Sequence, residues 1–384
     1  MINVRIKHKD DLTKWYIGAV LPIVMELNVN GSYTDTFDLS IVNALNNNTF
    51  CSDVLIMDIN ELSVKYEWIG QYKGLVDFCA GITELEKELN KISGVGSRNS
   101  RSNLLRFYYD KNTNTLINNI LACHLPAIGN NDLRISEVTR YIKNFSCFVS
   151  DCKNRIDSLN RIILKRFNYN KILGNSDIRA QLVQKLDIKV CPYCNRQFIN
   201  PITIGHNSKY LGDIDHILPK SKYALFQLSL FNLIPVCKVC NQLFKKDKTN
   251  VLNPYKEGFG EDVYLYLRYK SVKELIGIDK PSNYSWQVDL KDDDRVTRIR
   301  NNIDFFKLNE VYETNETEFQ RVLRLKYIYE SQAYRKSVLD ILNKGKGVSV
   351  QLFDECLLYG VSLDEEKFQD EILSKAIYDL VIMN

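Results

Sequence analysis

The sequence predicts an α+β chain, mostly helical, in which a helical body carries one small cysteine-stapled module. Three observations predict it. Apolar residues recur at three- and four-residue steps on both sides of the chain's middle, as amphipathic helices require. Between about residues 187 and 255 that period gives way to short strand-like runs interrupted by Gly, Pro and Asn. Within this stretch stand two matched Cys-x-x-Cys pairs, Cys191/Cys194 and Cys237/Cys240.

Residues 1–92 read as a mixed α/β or helical region. Ile2–Ile6 and Val54–Met57 are strand-like, while Leu75, Cys79, Ile82, Leu85, Leu89 and Ile92 fall on one helical face. Residues 93–102 (S-G-V-G-S-R-N-S-R-S) form the clearest loop; the Gly-Val-Gly there lacks the third glycine of a dinucleotide fingerprint. Residues 103–186 are helical again. Ser176 and Asp177 are candidate caps for a helix through Ala180, Leu182, Val183 and Leu186, which leads to the first cysteine pair. Residues 187–255 are the module, and 256–384 a helical C-terminal region. There Phe319, Val322, Leu323 and Ile328 share one face, and Leu373, Ile377, Leu380 and Val381 another. Gly345-Lys-Gly347 is a turn with no P-loop Ser or Thr in register.

With 384 residues, 45% apolar and 26% charged, the composition is that of an ordinary globular protein with ample core material. The longest near-apolar run, Ile17–Met25, is too short to span a bilayer. Asp10, Asp11 and Glu26 flank it and no small-residue cleavage site follows, so neither membrane insertion nor export is expected. Cys51, Cys79, Cys123, Cys147, Cys152 and Cys356 lack repeated spacing, in keeping with buried thiols in a reducing, cytoplasmic setting. The net charge of +4 says little, but its distribution says more. Residues 181–250 hold ten Lys/Arg against four Asp/Glu, leaving −2 for the other 314 residues. That local excess suits a phosphate-binding surface, or simply a solvated basic face.

Two Cys-x-x-Cys pairs can close a tetrahedral four-thiolate zinc site, with Zn–S of about 2.3 Å. Four thiolates leave no open position for water, so this zinc is expected to be structural. It would hold in place a hairpin and helix too small to supply their own core.

Of the four histidines, His8 lies in a charged terminal stretch, His124 in an apolar run, and His206 in the Gly205–Ser208 hairpin turn. His216 differs. It ends the strand-like Gly212–Ile217, directly after Asp215, and Pro219 stops the strand. Phosphodiester hydrolysis needs a base, a cation for developing charge, and groups that orient phosphate. A neutral imidazole can be the base; Asp215 and Asn241 offer hard oxygen ligands suited to Mg2+ or Mn2+. Asp213 shares a strand face with Asp215, whereas His216 points oppositely unless the strand bends. Lys220, Lys222, Lys245, Lys246 and Lys248, with Arg196, are candidate phosphate contacts. Tyr193 and Tyr223 are candidate base-stacking or packing residues.

Asp215-His216, Asn232-Leu233, Cys237-Lys-Val-Cys240-Asn241 and the following Lys245 and Lys248 resemble, in that order, the HNH or ββα-metal endonucleases. The resemblance covers some 60 to 70 residues. It implies a ββα-metal module embedded in the helical body, with His216 as general base, Asp215 and Asn241 as Mg2+ ligands, and Asn232 bracing the loop behind His216. It implies cleavage of double-stranded DNA to 5′-phosphate and 3′-hydroxyl ends. The last histidine of the family name is Asn here, which argues against a histidine-rich zinc or nickel centre. Cys-Pro-Tyr-Cys-Asn-Arg with Asn253-Pro254-Tyr255 is similar to larger bacterial HNH proteins, often encoded beside an ATPase in anti-phage systems such as Septu. An ATPase partner and a defence role are therefore expectations. The alternatives are a zinc-stabilised nucleic-acid-binding module without catalysis, and an RNase using the same residues.

Overall fold

The computed structural model describes residues 1–384 except 28, 30, 92–116, 118–134, 175–176, 205–206, 292–293, 332, 334–335, 338–357 and 384; within described helices and strands, the side chains at 83–91, 135–148, 203–204, 207–209 and 330 are also left out. The expected loop at 93–102, the Gly345 turn, Ser176, Cys123, Cys356, His124 and His206 lie outside the described residues, as do the side chains of Leu85, Leu89 and Cys147. The chain is mostly helical, with three two-stranded sheets among the described residues. It divides into two compact units, each discontinuous in sequence: one of residues 1–12, 175–219 and 232–384, the other of residues 13–174 and 220–231.

The second unit is helical: most of α1 (Lys9–Glu26), then α2 (Thr36–Leu45), α3 (Asn48–Ile56), α4 (Ile59–Lys65), α5 (Glu67–Lys91) and α6 (Ile135–Ile163). Short polar residues start the middle helices. Asp35, Asn47 and Asp58 each accept a hydrogen bond from a first-turn amide that has no partner inside its helix. Leu75, Cys79 and Ile82 of α5 are buried, as their spacing requires. Val54–Met57, read above as a strand, instead forms the end of α3. The Asn47 cap and burial of Phe50, Cys51, Val54 and Leu55 on one face favour helix over the β-leaning composition. Residues 220–231 complete this unit's core: Tyr16 and Tyr72 hydrogen-bond the Leu228 carbonyl and the Ala224 amide, and Ser229 bonds the Val54 carbonyl.

In the first unit, Ile2 and Val4 do not form a strand. Their amides reach the Pro192 and Pro254 carbonyls at 3.0 and 2.8 Å. Helix α7 (Asp177–Leu186), with Leu182, Val183 and Leu186 buried, leads to the first cysteine pair. Three antiparallel hairpins follow: β1 (Pro201–Ile204) with β2 (Asn207–Tyr210), β3 (Asp213–His216) with β4 (Leu233–Val236), and β5 (Val263–Arg268) with β6 (Asn283–Val288). The β5–β6 hairpin corrects the reading of residues 256–384 as helical. Val263, Leu265 and Leu267 alternate inward with outward Tyr and Arg, a period-two signal. Helices α8 (Asp294–Phe305), α9 (Leu308–Glu313), α10 (Glu316–Glu330) and α11 (Ser374–Tyr378) complete the unit. Phe319, Val322 and Leu323 are buried on α10, while Ile328 is exposed.

Neither compact unit coincides with the linear segments 1–92, 103–186, 187–255 and 256–384, because both are assembled from pieces distant in sequence. Among the described residues no helix is long and apolar enough to cross a membrane.

The first cysteine knuckle is held by Asn195. Its backbone sits in the left-handed region, at φ 49°, as the turn after Cys194 requires. Its buried amide donates to the Phe368 and Glu371 carbonyls (3.0 and 3.1 Å), and its Oδ1 accepts from the Lys375 amide (3.0 Å). Asn195→Ala should therefore cost about 3 kcal/mol, read as a lower urea midpoint of this unit. Asn195→Gly should recover the backbone part, about 1 kcal/mol, but not the hydrogen bonds.

Candidate metal centre and hairpin site

Cys191, Cys194, Cys237 and Cys240 are all buried, and their four sulfurs lie within 4.8 Å of one another. Cys194 and Cys237 stand 4.0 Å apart, close to the spacing of about 3.8 Å that Zn–S bonds of about 2.3 Å give in a tetrahedron. The donor set fits one zinc ion with no further protein ligand. Hydrogen bonds from the other three thiols, Cys191 first, hold Cys194 well below the ordinary thiol range, while burial pushes Cys191 well above it. A cation would stabilise all four as thiolates. The knuckles are fixed by their own unit: the Tyr312 hydroxyl donates to the Cys194 carbonyl at 2.7 Å.

From the second knuckle runs a helical segment, Val239–Lys245, with π-type hydrogen bonding; the Lys246 amide reaches the Asn241 carbonyl five residues back at 3.0 Å. Such widened turns are rare and often mark functional sites. Lys246, in the left-handed region at φ 51°, ends it.

The hairpin in front of this segment carries the Asp-His pair. β3 pairs with β4 so that Asp213 faces Val236, Asp215 faces Ile234 and His216 faces Leu233. Gly212 lets the strands approach: a Cβ there would come within 2.3 Å of the Val236 carbonyl. Asn232, 1% exposed, clasps the turn after His216 from both sides. Its Oδ1 accepts from the Leu218 amide at 2.7 Å and its Nδ2 donates to the Leu218 carbonyl at 3.1 Å. The Asn232 carbonyl also accepts from the Ile217 amide at 2.9 Å.

Asp215 is buried; its Oδ2 accepts from the Tyr193 hydroxyl at 2.7 Å, and the Lys245 ammonium lies across both oxygens, 3.0 Å from Oδ2. Its Oδ1 accepts a hydrogen bond from the same ammonium at 3.3 Å. Burial raises the Asp215 pKa and the Lys245 charge opposes that rise. Burial, and then the Asp215 charge, push the Tyr193 phenol well above its ordinary value, so it stays protonated as a donor. Asp213, half-buried on the same strand face, accepts from Asn241 Nδ2 at 3.2 Å and Gln242 Nε2 at 2.8 Å. Asp213 and Asp215 thus share one face of β3, and the Asn241 amide nitrogen is turned to Asp213. Carboxylate and amide oxygens are the donor type that Mg2+ or Mn2+ takes.

The candidate phosphate contacts separate. Lys245 is not on the surface: it is fully buried, bonded to Asp215 and to the His216 carbonyl at 2.7 Å. An unpaired ammonium would not stay there, and the wide helical turn aims this one inward. Arg196 is bonded to Asn315 and Thr314 (2.7 and 2.6 Å) over the Tyr312 ring, and the Lys248 ammonium lies 4.5 Å from the centre of the Phe305 ring. Lys246 is exposed. Lys220 and Lys222 belong to the other unit, where Lys220 reaches Asn170 at 3.0 Å and sits over Tyr169. Tyr223, also in that unit, is buried and donates to Asp77. His8 is exposed. Tyr193 and Lys245 emerge as partners of the Asp-His pair without any sequence signal for that pairing; Tyr193 further stacks on Phe306 at 4.6 Å.

Residues 191–251 match the family described as HNH endonuclease. The matched span runs from the first cysteine to just past the helical segment, and it supports nuclease or nucleic-acid-binding activity. No curated protein and no solved structure matches the chain.

Purified protein should contain about one zinc per chain by elemental mass spectrometry. Cys237→Ser together with Cys240→Ser should lose it. Acidification should release it from the wild type, because protonation removes the thiolate ligands.

Proposed function

We propose that this chain is a metal-dependent endonuclease that hydrolyses DNA phosphodiester bonds, with β3, β4 and the Val239–Lys245 segment as an embedded ββα-metal module. The observation that carries this reading is that the segment matching the HNH family is the one in which Asp215, His216, Asn232 and Asn241 lie on a single hairpin and helix stapled by four cysteines. In this reading His216 takes the proton from the attacking water. Asn232 holds the turn that follows the imidazole, so the base is presented from a fixed backbone. Asp215 and Asn241 would hold the cation, Mg2+ or Mn2+, with Asp213 turning the Asn241 amide. When bound, that ion supplies positive charge for the transition state and the departing 3′ oxygen. Zinc held by the four cysteines would fix Cys240, the residue directly before Asn241. Lys246 and Lys248 at the end of the helical segment are the proposed backbone-phosphate contacts.

Similarity of the flanks to HNH proteins encoded beside an ATPase supports a further part of the proposal. The chain would act in anti-phage defence, in the cytoplasm, with an ATPase partner regulating it. A second reading, a nucleic-acid-binding module without catalysis, is favoured by one observation: Asp215 is already neutralised by a buried lysine.

Wild type should nick or linearise supercoiled plasmid with Mg2+ or Mn2+ and not with EDTA. His216→Ala should lose at least about 10²-fold in rate while retaining zinc. Binding without metal-dependent scission by the wild type would favour the second reading, and cleavage of RNA in preference to DNA would reassign the substrate. Within its native locus, His216→Ala should abolish protection in a phage plating assay.

A further inference from the structure

We propose that Tyr193 and Lys245 form a buried positioning relay that ties the two cysteine knuckles to the Asp215-His216 pair. This rests on the proposed hydrolytic role of His216 and extends it to residues that touch neither substrate nor solvent. Tyr193 lies inside the first knuckle, between Cys191 and Cys194, and its hydroxyl reaches Asp215 Oδ2 at 2.7 Å. Lys245 lies in the helical segment that contains Cys240, and its ammonium reaches the same oxygen at 3.0 Å and the His216 carbonyl at 2.7 Å. Tyr193 and Lys245 are both 0% exposed. Each knuckle therefore sends one arm into the core, and the arms meet on the Asp215 carboxylate.

The relay brackets the base. On the near side Lys245 holds the His216 carbonyl; on the far side Asn232 holds Ile217 and Leu218. The strand can neither slide nor rotate at His216 without breaking a buried polar contact. With Tyr193 on Oδ2 and Lys245 across both oxygens, the Asp215 carboxylate is fixed in one orientation. A buried ion pair of this kind is rarely more stable than an apolar replacement, so its geometric effect distinguishes it from ordinary core packing. Lys245 is thereby a positioning residue and not a phosphate contact.

The test uses the full chain and two substitutions, Tyr193→Phe and Lys245→Met, each checked for zinc content and folding. With only four histidines, the imidazole Cε1–H resonance of His216 can be assigned by its absence in His216→Ala. Both variants should keep one zinc and shift the His216 resonance while the His8 resonance stays in place. With plasmid DNA, kcat should fall about 10-fold for Tyr193→Phe and about 10²-fold for Lys245→Met, with KM within about twofold of wild type. The double variant should be little worse than Lys245→Met, as for two parts of one device. A raised KM with intact kcat for Lys245→Met would mark a phosphate contact and overturn the proposal. An unmoved His216 resonance in zinc-loaded Tyr193→Phe would overturn it as well, and that variant, lacking one oxygen only, tests the relay even if Lys245→Met does not fold. The resonance is read without substrate, so a failure of the nuclease reading is separable from a failure of the relay.

Discussion

Four buried sulfurs held within 4.8 Å of one another are the constraint on which the rest of the described site depends. Without a cation this cluster is four weakly hydrogen-bonding groups in the core; with one it is a covalent-strength junction between chain segments some 40 residues apart. Tyr193 and Asn195 leave from one side of the junction, Asn241 and Lys245 from the other. Each makes its principal contacts with a different part of the unit: Asp215, the 368–375 segment, Asp213, and the His216 carbonyl. The hairpin that carries the Asp-His pair has only four residues per strand, too few to define an orientation by themselves.

The interior of this small module is unusually polar. Asn195, Asn232, Asp215 and Lys245 are all buried, and each is hydrogen-bonded. Every one of these side chains ties down a backbone that follows no regular ladder: a left-handed knuckle residue, a turn after a strand, a widened helical turn. A larger apolar core would hold such segments by packing. Here directional bonds do it.

Much of the site was legible because its chemistry demands particular residue types at particular spacings. Two Cys-x-x-Cys pairs read as one metal cluster from spacing alone, and the thiols do converge. The helices through Leu75–Ile82 and Asp177–Leu186 were legible from their apolar period. The β5–β6 hairpin was also there to be read, in the alternation of Val263, Leu265 and Leu267, but the surrounding helical period masked it. Val54–Met57 went the other way: β-leaning residues were taken into a helix by the cap before them and the core beneath them.

Local sequence determined the residue inventory of this protein: where thiols, the Asp-His pair and the helix-forming stripes lie along the chain. Tertiary structure decided which of those groups meet. A one-letter string marks Lys245 as one more cation in a basic stretch, since charge is visible and depth is not. Only the folded chain, with its widened turn after Cys240, aims that ammonium into the core against Asp215. The same holds for the two compact units. Residues 220–231 join a core built from residues 13–174 because burying Ala224–Leu230 requires partners that are distant in sequence, and no linear segmentation contains that information.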